Sequence, residues 1–184
     1  VLWGGATTIH LGETTGAGDD GVGFAAVGPF GDTWVTCDGI DEAIRVSPGG
    51  STLRVRITAI GSSPRGVAID RLGNPWFVVS NPPTLLQLSY SGHYLTDLTV
   101  DLLDPYGVVI DAQDRIWLTH PSLGKVSVWD QEGTHLAEAN MGATSGPEGI
   151  SVDGDGDIWV ACATGGEVAE IDHDFTIPIL PRPH

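Results

Sequence analysis

Pro-Arg-Gly-Val-Ala-Ile-Asp at residues 64–70 returns as Pro-Tyr-Gly-Val-Val-Ile-Asp at 105–111 and as Pro-Glu-Gly-Ile-Ser-Val-Asp at 147–153. An incomplete copy, Gly-Phe-Ala-Ala-Val-Gly, lies at 23–28. A turn and a tryptophan follow each copy, and the tryptophans are 42, 41 and 42 residues apart: Trp34, Trp76, Trp117 and Trp159. A period near forty, made of short apolar strands and tight turns, is typical of a β-propeller. The sequence therefore predicts an all-β fold with four-stranded antiparallel blades of about 42 residues.

The repeat divides residues 1–184, a single predicted domain, into blades. Its predicted segments are the end of a preceding blade (1–18), three blades (19–60, 61–101 and 102–143), and a last blade with a proline-rich tail (144–184). Ile-His-Leu-Gly-Glu at 9–13 aligns with Thr-His-Leu-Ala-Glu at 134–138, so residues 9–16 are a predicted fourth strand. That strand could complete the last blade of a closed four-bladed ring. A segment of a larger ring and a ring shared by two chains are the alternatives, and the start in mid-blade favours these two.

Composition limits the function classes. The chain has 24 acidic against 8 basic residues, a net charge of −16, which disfavours binding to nucleic acid. No apolar run reaches about eighteen residues, so no membrane span is predicted. We expect an extracellular or periplasmic protein, processed, trimmed or incomplete at its N-terminus, with a protein partner or a second copy of itself as binding partner.

Several repeat positions are expected to be structural. One tryptophan ring per blade should fill the wedge between neighbouring blades. Cys37 and Cys162 each lie three residues after such a tryptophan, three blades apart, and are expected to be buried free thiols. His120 shares their repeat position and is expected to be a packed or hydrogen-bonded strand residue.

The variable residue of each Pro-x-Gly loop is the candidate for function. The inner strands of a propeller line its central channel, and the loop that enters each one faces a mouth of that channel. These positions carry Arg65, Tyr106 and Glu148, with Gly23 in the incomplete copy. A guanidinium, a phenol and a carboxylate around one mouth predict a polar ligand site.

Residues 147–172 resemble a blade of the senescence-marker/gluconolactonase family, with its Pro-Asp-Gly loop, its Leu-Trp-Val-Ala-Cys strand and its Gly-Gly-x-Val strand. The resemblance implies a six-bladed propeller with a divalent metal at the channel mouth that hydrolyses lactones or phosphotriesters. Glu148 would then be a metal ligand and the catalytic acid/base. Arg65 and Tyr106 stand where that family has further ligands, which departs from its pattern.

The wider pattern Pro-x-Gly-Ile-x-x-Asp-x-x-Gly-x-x-Trp also resembles streptogramin (virginiamycin B) lyases and NHL-repeat proteins. Those lyases use a metal with a His/Glu/His set at the channel. This chain has six histidines, and none lies in a channel-mouth loop. The resemblance therefore carries over the fold but not the catalytic set.

The stretch Asp-Gly-Asp-Gly-Asp at 153–157 offers a second candidate metal site. The alternating carboxylates of Asp153, Asp155 and Asp157 could converge on a divalent cation, with Ca²⁺ as the candidate cofactor. Asp-Gly is also a common turn sequence, and the other blades have a plain hairpin turn here, so a turn is favoured.

The sequence as a whole favours a non-enzymatic propeller scaffold or binding module that assembles with itself or with other chains. Strand edges left open at either end of the repeat invite another chain to pair with them. The alternative is a metal-dependent lactonase-like hydrolase or streptogramin-lyase-like enzyme with its site at the channel mouth.

Overall fold

A computed structural model describes residues 21–57, 62–99 and 103–173. The predictions for residues 1–18 and for the proline-rich tail beyond residue 173 lie outside these ranges. The described residues form two 3-10 turns, Asp38–Ile40 and Pro121–Leu123, and fifteen strands: β1 (Val22–Val27), β2 (Thr33–Cys37), β3 (Glu42–Val46), β4 (Thr52–Arg56), β5 (Ser62–Ile69), β6 (Pro75–Asn81), β7 (Pro83–Leu88), β8 (Tyr94–Thr99), β9 (Val108–Ile110), β10 (Ile116–His120), β11 (Lys125–Trp129), β12 (His135–Asn140), β13 (Pro147–Val152), β14 (Ile158–Cys162) and β15 (Glu167–Ile171).

The strands pair into four antiparallel sheets in chain order, each a propeller blade. Blades 1, 2 and 3 are β1–β4, β5–β8 and β9–β12, and blade 4 has the three described strands β13–β15. The predicted all-β propeller with four-stranded antiparallel blades is confirmed. In the described ranges, the extensive contacts of blade 1 are with blade 2, and those of blade 4 are with blade 3.

Each blade has a leading face towards the preceding blade and a trailing face towards the next. Strand register places each repeat tryptophan on the trailing face; Trp117, for example, is paired with Val109 and Val128. It packs against the leading face of blade 4, which includes Ile158 and Val160. Three apolar clusters, one at each junction between blades, therefore form the core.

The four repeat tryptophans are not equally buried. Trp34, Trp76 and Trp117 are at most 1% exposed, as their predicted role between blades requires. Trp159 is only partly buried, because within residues 21–57, 62–99 and 103–173 no blade packs on the trailing face of blade 4.

The glycine of the Pro-x-Gly motif lets the inner strands approach one another. The Gly66 amide donates a hydrogen bond to the Tyr106 carbonyl at 2.9 Å, and a Cβ on Gly66 would lie 2.6 Å from that oxygen. A Cβ on Gly107 would lie 2.4 Å from the Glu148 carbonyl oxygen. The motif therefore needs glycine where the next blade's loop touches it.

The motif aspartate holds the hairpin that follows. Asp111 Oδ1 accepts hydrogen bonds from the amides of Gln113 and Arg115, and its Oδ2 accepts one from the Trp117 indole at 2.8 Å. Asp153 makes the same contact with Trp159. One side chain thus fixes both the turn and the indole.

The remaining structural predictions agree with the structure. Cys37 and Cys162 are buried, and neither forms a disulfide in the described part of the chain. His120 is fully buried, with Nε2 2.7 Å from Ser127 Oγ and Nδ1 3.1 Å from the Leu103 carbonyl oxygen. Burial lowers the pKa of His120.

We predict that Gly107→Ala destabilises the chain by about 1–3 kcal/mol, because its methyl group would overlap the Glu148 carbonyl. Gly149→Ala is the matched control at the same repeat position. Its Cβ would meet only Ala161 Cβ, at 3.5 Å, so this change should leave the free energy of unfolding within about 1 kcal/mol of the wild type. Urea unfolding at sub-micromolar concentration, followed by tryptophan fluorescence, measures both. Equal losses in both variants would contradict this account of the motif.

Candidate ligand site at the channel mouth

Three inner-strand segments bring one side chain each to the same end of the propeller. Arg65 lies on β5, Tyr106 lies just before β9, and Phe24 lies on β1. The Gly66–Tyr106 hydrogen bond fixes blade 2 against blade 3 next to these side chains. We call Phe24, Arg65 and Tyr106 the mouth cluster.

The mouth cluster is in direct contact. The Arg65 guanidinium carbon lies over the Tyr106 ring, 4.9 Å from its centroid. Phe24 meets the same ring edge-on, with centroids 5.4 Å apart and planes at 83°. All three side chains are half-buried, so the cluster is ordered by packing and still accessible from solvent.

Arg65 differs from the other described cations in its partners. Arg45, Arg54, Arg56, Arg71, Arg115 and Lys125 each have a carboxylate within 4.0 Å. In the part of the chain that the structure describes, no carboxylate pairs with Arg65. Since the chain has a net charge of −16, an arginine held on an aromatic ring without an acid is a specific arrangement rather than a consequence of composition.

Glu148 is placed differently from the two residues predicted with it. Its backbone carbonyl accepts a hydrogen bond from Thr119 Oγ1 at 2.9 Å, which links blade 3 to blade 4. Its side chain is half-buried and, within the described ranges, forms no ion pair with Arg65. The structure therefore brings Arg65 and Tyr106 together, while Glu148 contributes its backbone to the same rim.

Phe24 was missed by sequence reasoning. It occupies the glycine position of the motif in the incomplete first copy. Its amide donates a hydrogen bond to Thr36 Oγ1, as the Gly107 amide does to Thr119 Oγ1. The substitution of an aromatic residue for glycine at a repeat position was the signal that could have identified it.

The Asp-Gly-Asp-Gly-Asp segment forms the hairpin turn between β13 and β14. Asp153 Oδ1 accepts hydrogen bonds from the amides of residues 155, 156 and 157, and Oδ2 accepts one from the Trp159 indole. Asp157 turns instead towards His173, whose Nδ1 lies 2.9 Å from Asp157 Oδ1. Asp157, Asp172 and His173 are the group of side chains close enough to share a cation in the described part of the chain. The calcium site at Asp153, Asp155 and Asp157 stays a prediction.

The comparisons with known proteins agree on the fold. Residues 134–166 match the family model for the N-terminal part of strictosidine synthase-like proteins. No curated protein matches the chain. In the described ranges, no helix is both long and apolar enough to cross a bilayer.

Solved structures match over most of the chain. A streptogramin B lyase superposes with a TM-score of 0.77 at 20% identity, covering 87% of this chain and 54% of the lyase. A catalytically inactive virginiamycin B lyase from Staphylococcus aureus with quinupristin gives 0.79 at 19% identity, covering 93% and 59%. A nidogen/laminin complex gives 0.71 at 20% identity, covering 84% and 61%. The chain spans just over half the length of the lyases, and at these identities the likeness is one of fold. The predicted resemblance to streptogramin-lyase-like propellers is confirmed at that level.

We predict that Asp157 makes stability depend on acid pH. The hydrogen bond from His173 lowers the pKa of Asp157 below its unfolded value of about 3.9. Its carboxylate therefore stabilises the fold above about pH 4, and this contribution is lost as the pH falls further. Asp157→Asn should reduce the difference in unfolding free energy between pH 7 and pH 3, measured by urea denaturation. Asp155→Asn removes the same charge from the same turn and is the control; equal pH profiles for the two variants would contradict the assignment.

Proposed function

We propose that this protein is a non-enzymatic binding module whose mouth cluster takes up a ligand that carries a carboxylate on a flat apolar body. The observation that carries the proposal is Arg65, a half-buried guanidinium stacked on Tyr106 with no acidic partner among the described residues. The fold likeness to structures as different as a streptogramin B lyase and a nidogen/laminin complex supports a scaffold that carries a site, because fold alone does not set function.

The chemistry of the cluster matches this ligand class. A guanidinium presents its N–H groups as a planar fork that holds a carboxylate with two parallel hydrogen bonds. Stacking on Tyr106 keeps that fork in one plane, so less side-chain freedom is lost on binding. The edge of Phe24 and the ring of Tyr106 supply apolar contact for the body of the ligand.

The carboxylate that Arg65 binds belongs either to a small molecule or to a protein partner, as a side chain or as the C-terminus.

We further propose an extracellular or periplasmic location, which cell fractionation with an antibody against this chain tests directly. Recovery in the cytoplasmic fraction would contradict the location but not the ligand site.

Titration with N-acetyl-phenylalanine, followed by NMR of the protein, tests the site. We predict millimolar or tighter binding that weakens about 10- to 100-fold in Arg65→Gln, because a hydrogen bond to a charged group contributes about 1.5–3 kcal/mol. Tyr106→Leu should weaken binding as well, since it removes the stacking surface. Arg71→Gln, which removes an exposed arginine paired with Asp114, is the control. Equal affinity in wild type and Arg65→Gln would refute the site.

The enzymatic alternative is a metal-dependent lactonase-like hydrolase or a streptogramin-lyase-like enzyme centred on Glu148. The half-buried carboxylate of Glu148 at the same rim is the observation in its favour. The test is hydrolysis of a lactone, or cleavage of a streptogramin B, with an added divalent cation. Activity that disappears in chelator and in Glu148→Gln would replace the binding-module proposal.

A further inference from the structure

Blade 4 brings two aspartates opposite each other where β14 begins and β15 ends. Ile158, the first residue of β14, is paired with Ile171, the last residue of β15. The antiparallel register therefore places Asp157 opposite Asp172, one position beyond the ladder. Like charges at directly opposed positions repel each other, so these two carboxylates destabilise this end of the blade unless positive charge offsets them.

The other described blades do not pair two acids at this position. The corresponding residues, placed by the same register, are Asp32 and Ser47 in blade 1, Asn74 and Ser89 in blade 2, and Arg115 and Asp130 in blade 3. Blade 2 shows what the fold itself needs here. Asn74 Oδ1 accepts a hydrogen bond from the Tyr90 amide at 3.0 Å, as Asp157 Oδ1 does from the His173 amide at 3.1 Å. Since an uncharged amide is sufficient for this contact, the blade does not require the two acids.

The side chain of His173 completes a group of three possible metal ligands. Its Nδ1 lies 2.9 Å from Asp157 Oδ1 and 3.5 Å from Asp172 Oδ1. Each of the three residues offers one ligand atom, and these atoms all lie within 4.8 Å of one another. Zinc binds nitrogen and oxygen ligands at about 2.0–2.2 Å, so two ligands of one tetrahedral ion are about 3.4 Å apart. The three side chains are therefore spaced as the ligands of one ion are.

This group is held in place by blade 3 and is accessible from solvent. Arg115 Nη2 donates a hydrogen bond to the His173 carbonyl at 3.1 Å, and Arg115 Nε lies 2.6 Å from Asp111 Oδ2. The positive charge of Arg115 is thus offset by Asp111. The side chains of Asp157, Asp172 and His173 are 23%, 44% and 42% exposed, so an ion and its bound water can reach them.

We propose that Asp157, Asp172 and His173 bind one Zn²⁺ ion. Two carboxylates and one imidazole provide three ligands of a four-coordinate ion, with water as the fourth. The imidazole ligand disfavours Ca²⁺ and Mg²⁺, which take oxygen ligands, and is typical of zinc. The ion offsets the repulsion between the opposed aspartates and ties the end of β15 to the start of β14. The site has only Asp157 in common with the calcium site predicted from the sequence.

The test is calorimetric titration of Zn²⁺ into the full chain, without a histidine tag, at neutral pH. We expect one ion per chain. His173→Ala and Asp172→Asn should each weaken binding by about 10-fold or more, because the loss of even an outer-shell partner of a metal ligand costs about that much. Nitrogen NMR of the imidazole rings gives a second readout, in which Zn²⁺ should shift the His173 Nδ1 signal.

Three control variants remove similar groups from other places. Asp155→Asn removes a carboxylate from the same turn, His93→Ala removes an imidazole from the turn between β7 and β8, and Glu148→Gln removes the carboxylate at the channel mouth. All three should bind Zn²⁺ as the wild type does. Circular dichroism of each variant shows whether it is folded.

Several results would overturn this site. One is the absence of both heat and a His173 shift up to about 1 mM Zn²⁺. Another is equal affinity in the wild type and in His173→Ala. Loss of binding in Asp155→Asn would move the ion into the turn, and loss in Glu148→Gln would move it to the channel mouth. The mouth cluster contributes no ligand, so failure here is distinct from failure of the proposed carboxylate site.

Discussion

The packing of each repeat tryptophan against the next blade is the contact on which the rest of the structure depends. A propeller blade alone is a small sheet with two apolar faces, and it becomes stable when neighbours cover both. Removing a buried tryptophan side chain costs about 3–5 kcal/mol, a large share of the stability of a domain. Three such contacts, at Trp34, Trp76 and Trp117, hold the four blades in order. The glycine of the motif then lets the inner strands approach, and the motif aspartate fixes the turn that follows.

The mouth cluster is a consequence of that order. Phe24, Arg65 and Tyr106 come from three successive blades, and no two of them are close in sequence. Because a backbone hydrogen bond between blades 2 and 3 holds the segments that carry Arg65 and Tyr106, the two side chains meet without any further support. Variation at a single residue per blade can therefore change the chemistry of the site while the packing of the blades stays the same.

The sequence repeat made much of the fold predictable. Its period and its alternation of apolar and polar residues predicted the blades, and Cys37, Cys162 and His120 are buried as their shared position suggested. Repeat position could not predict the burial of a residue, which depends on the blade packed against it. Trp159 has the same repeat position as Trp117, and it is more exposed because no described blade packs on its face. Phe24 was not predicted, because it stands at the glycine position of the motif, where the other copies have no side chain.

Solvent accessibility of the individual tryptophans tests the central claim most directly. Fluorine NMR of the chain labelled with 5-fluorotryptophan, with each signal assigned by a Trp→Phe substitution and a soluble paramagnetic agent added, reports the exposure of each ring. The account predicts that the signals of Trp34, Trp76 and Trp117 are unaffected by the agent. Broadening of any of these three signals to the extent seen for free fluorotryptophan would contradict blade-to-blade packing as the basis of the fold.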